Sequence, residues 1–258
     1  MNVTFHKYQG TGNDFIMIDN RELFFDTRNH NLIAQLCERR MGIGADGFIL
    51  LQNREGYDFE MVYFNADGRP GSMCGNGGRC TVQFARALGV ITDKAFFLAA
   101  DGNHYATVDN TGLVSLKMND VHQVETGLDY YYLNTGSPHY VQFVDALDEL
   151  NVFAEGRDIR YNERFKLEGT NVNFAQLQPE AALFVRTYER GVEDETFSCG
   201  TGVTATALAA SYRGATSPVS IKTLGGNLQV AFEVSATGFT NIYLIGPAQY
   251  VFTGTVEV

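Results

Sequence analysis

The sequence predicts an α+β protein of two pseudo-symmetric halves, each a curved, mostly antiparallel β-sheet or barrel wrapped around one central α-helix. Three observations predict it. Cys74, Gly75, Gly77 and Gly89 recur as Cys199, Gly200, Gly202 and Gly214, each pair 125 positions apart. A repeat of nearly half of the 258 residues means two equivalent halves rather than a solenoid. Each half also has the same order of parts: an alternating segment, a polar turn, the cysteine, then an apolar helix. Around these helices the chain is rich in short Val, Tyr and Phe runs, the mark of strands packed on a helix.

Taken in order, Thr11-Gly12-Asn13 is echoed by Thr135-Gly136-Ser137. Phe59 to Phe64 alternates and reads as a strand. The helix after Cys74 ends at Gly89, a C-cap glycine, and carries one polar stripe of Arg79, Gln83 and Arg86. His104 to Val108 and Leu113 to Met118 read as strands, and Gly102-Asn103 recurs as Gly226-Asn227. Tyr130-Tyr131-Tyr132 reads as strand and core, or as a dimer contact, rather than a base-stacking platform. Leu183 to Tyr188 repeats the first alternating strand, with Phe184 and Tyr188 matching Phe59 and Tyr63. Val203 to Tyr212 has no charged side chain, so that helix is expected to be buried on nearly all sides. The halves are expected at 1–118, joined by a C-terminal strand at 249–258, and at 119–248, with the site in a cleft between them.

Composition excludes several functions. Lys and Arg total 19 against 30 Asp and Glu, a net charge of −11, which is a poor match for the phosphate backbone of a nucleic acid. No apolar run approaches the ~18 residues of a membrane span. The first residues, Met1 to Lys7, lack the features of a signal peptide, so a cytosolic protein is expected. Its cysteines, Cys37, Cys74, Cys80 and Cys199, are then expected as reduced thiols. No Cys-x-x-Cys pair exists, so no metal is expected. Cys37 and Cys80 read as core thiols, and His6, His30, His104 and His122 as structural or solvated.

Cys74 and Cys199 are different, because each stands at a helix start with glycines after it. A helix N-terminus offers unpaired N–H groups and a positive dipole end, so it binds carboxylates and lowers a thiol pKa from about 8.5. Two such starts facing one cleft would hold a carboxylate with its α-carbon between two sulfurs. One thiolate could take the α-proton while the opposite thiol delivers another, inverting the carbon without a cofactor. The same residues are open to other readings: two structural thiols at duplicated turns, or a redox pair. A phosphate nest is disfavoured by the absence of a P-loop lysine.

Met73-Cys74-Gly75-Asn76-Gly77-Gly78-Arg79-Cys80 and Ser198-Cys199-Gly200-Thr201-Gly202 resemble the two catalytic motifs of the diaminopimelate epimerases. Gly12 to Phe15, Gly42 to Gly47, Phe64 to Gly68, Gly169 to Asn173 and Glu189 to Gly191 also match, in family order. The resemblance implies a cofactor-independent epimerase that interconverts LL- and meso-2,6-diaminopimelate, with Cys74 and Cys199 as acid and base. It implies that Gly75, Asn76, Gly200 and Thr201 hold the carboxylate of the reacting centre and that Asn13 binds substrate. Asn65, Asn171, Glu189 and Arg190 would bind mainly its distal end, and His139 and Glu189 would tune the thiols. A homodimer and no partner beyond the small-molecule substrate are expected.

Some members carry Gln where this chain has Gly47, Asn where it has Ser137, and Ser where it has Thr201. Gly47 loses a side-chain amide and is left outside the site. Proline racemases share the two-cysteine logic but resemble Met-Cys-Gly-His-Gly at the first site, where this chain has Asn76. A thiol redox protein or a non-catalytic amino-acid-binding module is separated from an epimerase by whether α-hydrogen exchanges.

Overall fold

The computed structural model describes residues 1–179 and 182–258. In chain order the elements are β1 (Asn2–Gly10), β2 (Asn13–Asp19), α1 (His30–Cys37), β3 (Gly47–Gln52), β4 (Phe59–Asn65), α2 (Gly75–Ala87), β5 (Lys94–Ala99), β6 (Gly102–Val108) and β7 (Val114–Lys117). There follow β8 (Val124–Thr126), β9 (Tyr130–Asn134), β10 (Pro138–Phe143), α3 (Val152–Arg160), β11 (Asn171–Leu177), β12 (Leu183–Glu189) and β13 (Asp194–Thr196). The last are α4 (Gly200–Ser211), β14 (Val219–Thr223), β15 (Gly226–Ser235), β16 (Gly238–Gly246) and β17 (Gln249–Glu257). The chain divides into two units, one of Met1–Leu116 with Gly246–Val258 and one of Lys117–Ile245.

The two units repeat one pattern of pairing. In the first, β1–β2 is antiparallel, β2–β3 parallel, β3–β4 antiparallel, β4–β5 parallel, and β5–β6 and β6–β7 antiparallel. In the second, β9–β10, β10–β11, β11–β12, β12–β14, β14–β15 and β15–β16 run through the same sequence of directions. The fold is therefore α+β in two repeated halves, mostly antiparallel but with two parallel pairs in each. β17 pairs antiparallel with β1, returning the C-terminus to the first unit.

Both faces of each sheet are covered, which explains strands that lack clean alternation. Gly47 to Leu51 of β3 is buried throughout. On one face Phe48 and Leu50 join Ile33 and Leu36 of α1 in a core that also holds Ile16, Ile18 and Phe64. On the other, Ile49 reaches α2 at Gly77. The second unit repeats this, with Val172 and Phe174 of β11 packed with Val152 of α3 and Tyr188 of β12. α1 and α3, which carried no signal in the repeat, are thus the outer covers.

The two predicted helices form where expected but begin directly after their cysteines. α4 is buried from Gly202 to Ala210, matching its lack of charge. Its threonines are tolerated because Thr204 donates to the Gly200 carbonyl at 2.9 Å and Thr206 to the Gly202 carbonyl at 2.8 Å. Full burial of Val203 and Leu208 stabilises the unit by about 1.5–3 kcal/mol each. The polar stripe of α2 needs correction: Arg79 is completely buried. Its guanidinium donates to Thr11 Oγ1 at 3.3 Å and to the Gly75 and Pro247 carbonyls at 3.4 Å. Helical spacing marks a polar face but not whether loops cover it. Among the described residues no helix is long and apolar enough to cross a membrane.

Candidate active site

The four α-helices among the described residues have two kinds of cap. Asn29 caps α1 and Asn151 caps α3, each accepting from a first-turn N–H through its side chain. At α2 and α4 the cap positions are Cys74 and Cys199, in extended backbone and with no side-chain cap bond. Their carbonyls close the first helical turns, accepting from Gly78 N at 2.7 Å and Val203 N at 2.9 Å. A sulfur thus stands beside the positive end of each helix, where glycine backbone follows. Cys199 is buried and Cys74 half-buried. Cys37 and Cys80 lie in the core, where burial pushes each thiol up to about 12, so they stay protonated and unreactive.

In the first unit, Asn13 begins β2 and Asn65 ends β4. Asn13 Nδ2 donates to Asp46 Oδ2 at 2.8 Å. A carboxylate only accepts, so this bond fixes the amide and turns Asn13 Oδ1 the other way. There Oδ1 accepts from Asn76 Nδ2 at 3.3 Å and from the Cys74 thiol at 3.6 Å. Asp46 is itself held by Arg39 at 2.6 Å. Arg39 also pairs with Asp14 at 2.7 Å, as does Lys7 at 2.7 Å. Burial raises the Asp14 pKa, but the hydrogen bonds from Arg39 and Lys7 outweigh it and hold the carboxyl at about 2. Asp46 was missed by the sequence reading although it lies within the matched Gly42–Gly47 segment, because turn aspartates are common.

In the second unit, His139, Asn171 and Asn173 lie on neighbouring strands, with His139 opposite Asn171 in the β10–β11 register. His139 is completely buried. Burial, with a smaller contribution from the Arg190 charge, pushes its pKa down to about 3, so the ring is neutral. Its tautomer follows from its neighbours. Asn173 Nδ2 donates to the Tyr140 carbonyl at 3.0 Å and to His139 Nδ1 at 3.1 Å, while Thr187 Oγ1 donates to Asn173 Oδ1 at 3.0 Å. His139 Nδ1 is therefore the acceptor, and Nε2 carries the hydrogen toward Ser137 Oγ at 3.0 Å.

Ser137 Oγ also accepts from Asn171 Nδ2 at 3.1 Å. With both lone pairs engaged, its own hydrogen points to Thr201 Oγ1 at 3.3 Å. Thr201 Oγ1 in turn lies within hydrogen-bond distance of Cys199 Sγ, at 3.5 Å. Two of the three positions that depart from the family pattern, Ser137 and Thr201, are the two hydroxyl links in this chain of hydrogen bonds. Gly202 leaves room for it: a Cβ there would lie 2.3 Å from Asn173 Oδ1. Neither Ser137 nor Asn173 was singled out as a site residue, although alternation puts Asn171 and Asn173 on one face of β11.

Glu189 ends β12 and accepts from Thr196 Oγ1 at 2.9 Å. Arg190 follows on the exposed turn. Its backbone N–H donates to Asn171 Oδ1 at 2.9 Å and its Nη1 to the Glu168 carbonyl at 2.9 Å. Asn171 therefore links the Arg190 turn to the Ser137 hydroxyl. Among the described residues, no group of three or more His, Cys, Asp or Glu is placed to hold a metal ion. A groove of about 450 Å³ lined by His6, Tyr8, Phe84 and Tyr250 lies against the last turns of α2, at the end away from Cys74.

The neutral, buried His139 has a consequence for stability. Its folded pKa of about 3 lies below the unfolded value of 6.5. The unfolded chain therefore takes up a proton near pH 6.5 that the native protein refuses until about pH 3. Its contribution is fully present above pH 6.5 and is lost as pH falls from there toward 3, with a slope of about 1.4 kcal/mol per pH unit for one proton. Urea melts of wild type and His139→Gln between pH 7 and pH 4 should show a steeper fall for wild type. Parallel curves would mean that His139 is charged in the native state.

Known proteins resemble this chain over nearly its whole length. The sequence model of the family described as diaminopimelate epimerase matches residues 5–124 and 131–251. A curated diaminopimelate epimerase of Flavobacterium psychrophilum is 51% identical over 253 residues, covering 97% of this chain and 99% of the relative. That of Chlorobaculum tepidum is 45% identical over 259 residues, covering 96% and 99%. Among solved structures, a phenazine biosynthesis protein of the PhzF family from Bacillus anthracis superposes with a TM-score of 0.80 at 14% identity, each chain fully covered. A probable proline racemase from Agrobacterium radiobacter gives 0.67 at 15% identity, covering 99% of this chain and 92% of that one. The structural likenesses show a shared fold, and the identities over nearly the whole length show that this chain belongs to the diaminopimelate epimerase family.

Proposed function

We propose that this protein is a cofactor-independent epimerase that interconverts LL- and meso-2,6-diaminopimelate, with Cys74 and Cys199 as its acid–base pair. The observation that carries this reading is the substitution of cysteine for an ordinary cap at repeat-equivalent starts of α2 and α4, each followed by glycine. In this reading Gly75, Asn76, Gly200 and Thr201 hold the carboxylate of the reacting centre, and the helix N–H groups stabilise the enediolate-like charge that follows α-proton removal. Asn13 binds substrate beside Cys74. Asn65, Asn171, Glu189 and Arg190 grip the distal amino-acid end, and Glu189 and His139 tune the thiols.

The hydrogen bonds set the two sulfurs apart. Cys74 donates to an amide oxygen, which suits a thiol, whereas Cys199 lies against the Thr201 hydroxyl, a group able to donate to a thiolate. Cys199 is then the base for one hand of substrate and Cys74 the acid, and the roles reverse for the other. His139, neutral and oriented by Asn173, acts through Ser137 and Thr201 rather than by direct proton transfer. A cytoplasmic homodimer belongs to the same reading, with the exposed Tyr250, Val251 and Phe252 of β17 supporting an association surface.

The test is incubation with LL-diaminopimelate in heavy water, followed by NMR. The expected result is meso product carrying deuterium at the inverted α-carbon. Binding without α-exchange would instead indicate a non-catalytic amino-acid-binding module, and a reversible disulfide without exchange a redox protein.

Asp46 should matter through its hold on Asn13. Asp46→Ala releases the Asn13 amide to rotate, so kcat should fall about 10-fold, the worth of roughly 1.4 kcal/mol or one hydrogen bond. Adding the change to Asn13→Ala should cost little more, since the two act as one unit. Independent losses in the double variant would show that Asp46 acts elsewhere.

A further inference from the structure

The glycine at position 47 has a structural counterpart that points to another residue of the site. In the sheet register Phe15 lies opposite Gly47, Gly47 opposite Asn65, and Ile49 opposite Tyr63. Phe15, Gly47, Ile49, Tyr63 and Asn65 therefore share one face, together with Asn13 two residues before Phe15. This is the face that α2 covers, because Ile49 and Met61 both touch Gly77 in its first turn. Along β4 the row runs from Met61 beneath the helix start, through Tyr63, to Asn65 at the open end.

Tyr63 fills the space that side chains at two other positions would need. A Cβ at Gly47 would lie 2.5 Å from Tyr63 Cε2 and 3.0 Å from its hydroxyl oxygen. A Cβ at Gly71 would lie 2.5 Å from Cε1 and 2.6 Å from Cδ1, on the opposite edge of the ring. The distances of 2.5 and 2.6 Å are shorter than real Cβ contacts, so the ring is clamped between two backbones that must be glycine while it is there. Phe15 packs edge-on against it, with ring centroids 6.2 Å apart. The Gly71 segment is tied down as well, with its N–H donating to the Tyr63 carbonyl at 3.0 Å. That segment leads directly to Cys74, and a Cβ at Gly71 would also lie 3.0 Å from Asn65 Oδ1, so the Asn65 amide borders the same spot. The ring thus packs on the Gly71 segment, which borders the Asn65 amide on its way to the thiol.

We propose that Tyr63 is a positioning residue of this site, whose ring, wedged between Gly47 and Gly71, holds Asn65 in place for the distal end of an amino diacid substrate. This rests on the epimerase reading above. The ring, not the hydroxyl, carries the effect. Removing it frees Asn65, which contacts the non-reacting end, so binding should weaken more than the chemical step.

The test measures KM and kcat for LL-diaminopimelate, and Kd for meso-diaminopimelate by calorimetry, in Tyr63→Phe, Tyr63→Ala, Gly47→Ala and the Gly47→Ala/Tyr63→Ala double variant. Tyr63→Ala should raise KM and Kd about tenfold, the worth of roughly one hydrogen bond, while kcat changes less than threefold. Tyr63→Phe should stay within threefold of wild type. Gly47→Ala, whose methyl evicts the ring, should match Tyr63→Ala, and the double variant should be no worse than either, because the methyl then has room.

A fall in Tm with KM and Kd unchanged would overturn the proposal, as would additive losses in the double variant. So would a Tyr63→Phe defect equal to that of Tyr63→Ala, which would make the hydroxyl a direct ligand. Should Gly47→Ala fail to fold, the Phe and Ala variants at position 63 still decide the matter. Wild type that binds without turnover would defeat the epimerase reading while the Kd comparison still reads Tyr63, and wild type that binds no diaminopimelate would defeat both.

Discussion

Replacing Cys74 or Cys199 with Ala should slow inversion in either direction by at least about 10³-fold, within the range supplied by a positioned proton-transfer group. The reason is proton arithmetic. A thiol is monoprotic, so the sulfur that abstracts the α-proton has none other to give. The hydrogen delivered to the opposite face must come from the second sulfur, which exchanged with solvent before substrate bound. Each direction then needs one sulfur as base and the other as acid, and neither variant keeps both. The remaining thiol can still wash deuterium into one hand of the substrate without inverting it. Proton NMR in heavy water separates the two events, since exchange and inversion are read at the same α-carbon. Early wild-type product should carry solvent deuterium while recovered substrate remains largely protiated. Product that keeps the substrate's own hydrogen, or a Cys199→Ala protein that epimerises at the normal rate, would rule out two thiols as the acid–base pair.

Arg190→Ala should have the next largest effect, a loss of about 10- to 150-fold in kcat/KM. That corresponds to roughly 1.5–3 kcal/mol for a hydrogen bond to a charged group, and the lower part of the range is favoured because Arg190 sits on an exposed turn where water screens it. Two anchors hold the turn, the Arg190 N–H on Asn171 and Nη1 on the Glu168 carbonyl. The guanidinium is thereby presented as a fork that can grip a distal carboxylate in two places. Arg190→Lys keeps the charge and loses the fork, so its kcat/KM should fall between those of wild type and Arg190→Ala. Steady-state kinetics with diaminopimelate, set beside lysine, which lacks the distal carboxylate, check the assignment. Arg190→Ala activity within twofold of wild type, or rapid turnover of lysine by the unaltered protein, would defeat the distal clamp.

Much of this was legible in the sequence, because it depends on local chemistry repeated at a fixed offset. The cysteine-glycine pairs at 74–75 and 199–200 foretold two helix starts, since glycine past the last turn and an apolar run before it are signals carried by neighbouring residues. The absence of charge in α4 foretold its burial in the same way. What the sequence withheld lies in contacts between distant positions. Arg79 belongs to a polar stripe at helical spacing, yet Thr11 and Pro247, far away in the chain, fold over it and bury it. Asp46 is an ordinary turn residue until β2 and β3 bring its carboxylate to the Asn13 amide and so choose which end of that amide faces Cys74. A histidine in solution titrates near 6.5, but complete burial of His139 between strands keeps it neutral, and Asn173 decides which ring nitrogen carries the proton. Gly47 reads as the loss of an amide until the sheet places the Tyr63 ring in the space its side chain would need. The sequence by itself determined where the two thiols stand. Their hydrogen-bonding environments, and the support of the side chains around them, were decided by the tertiary structure, because orientation and desolvation arise only when separate strands pack together.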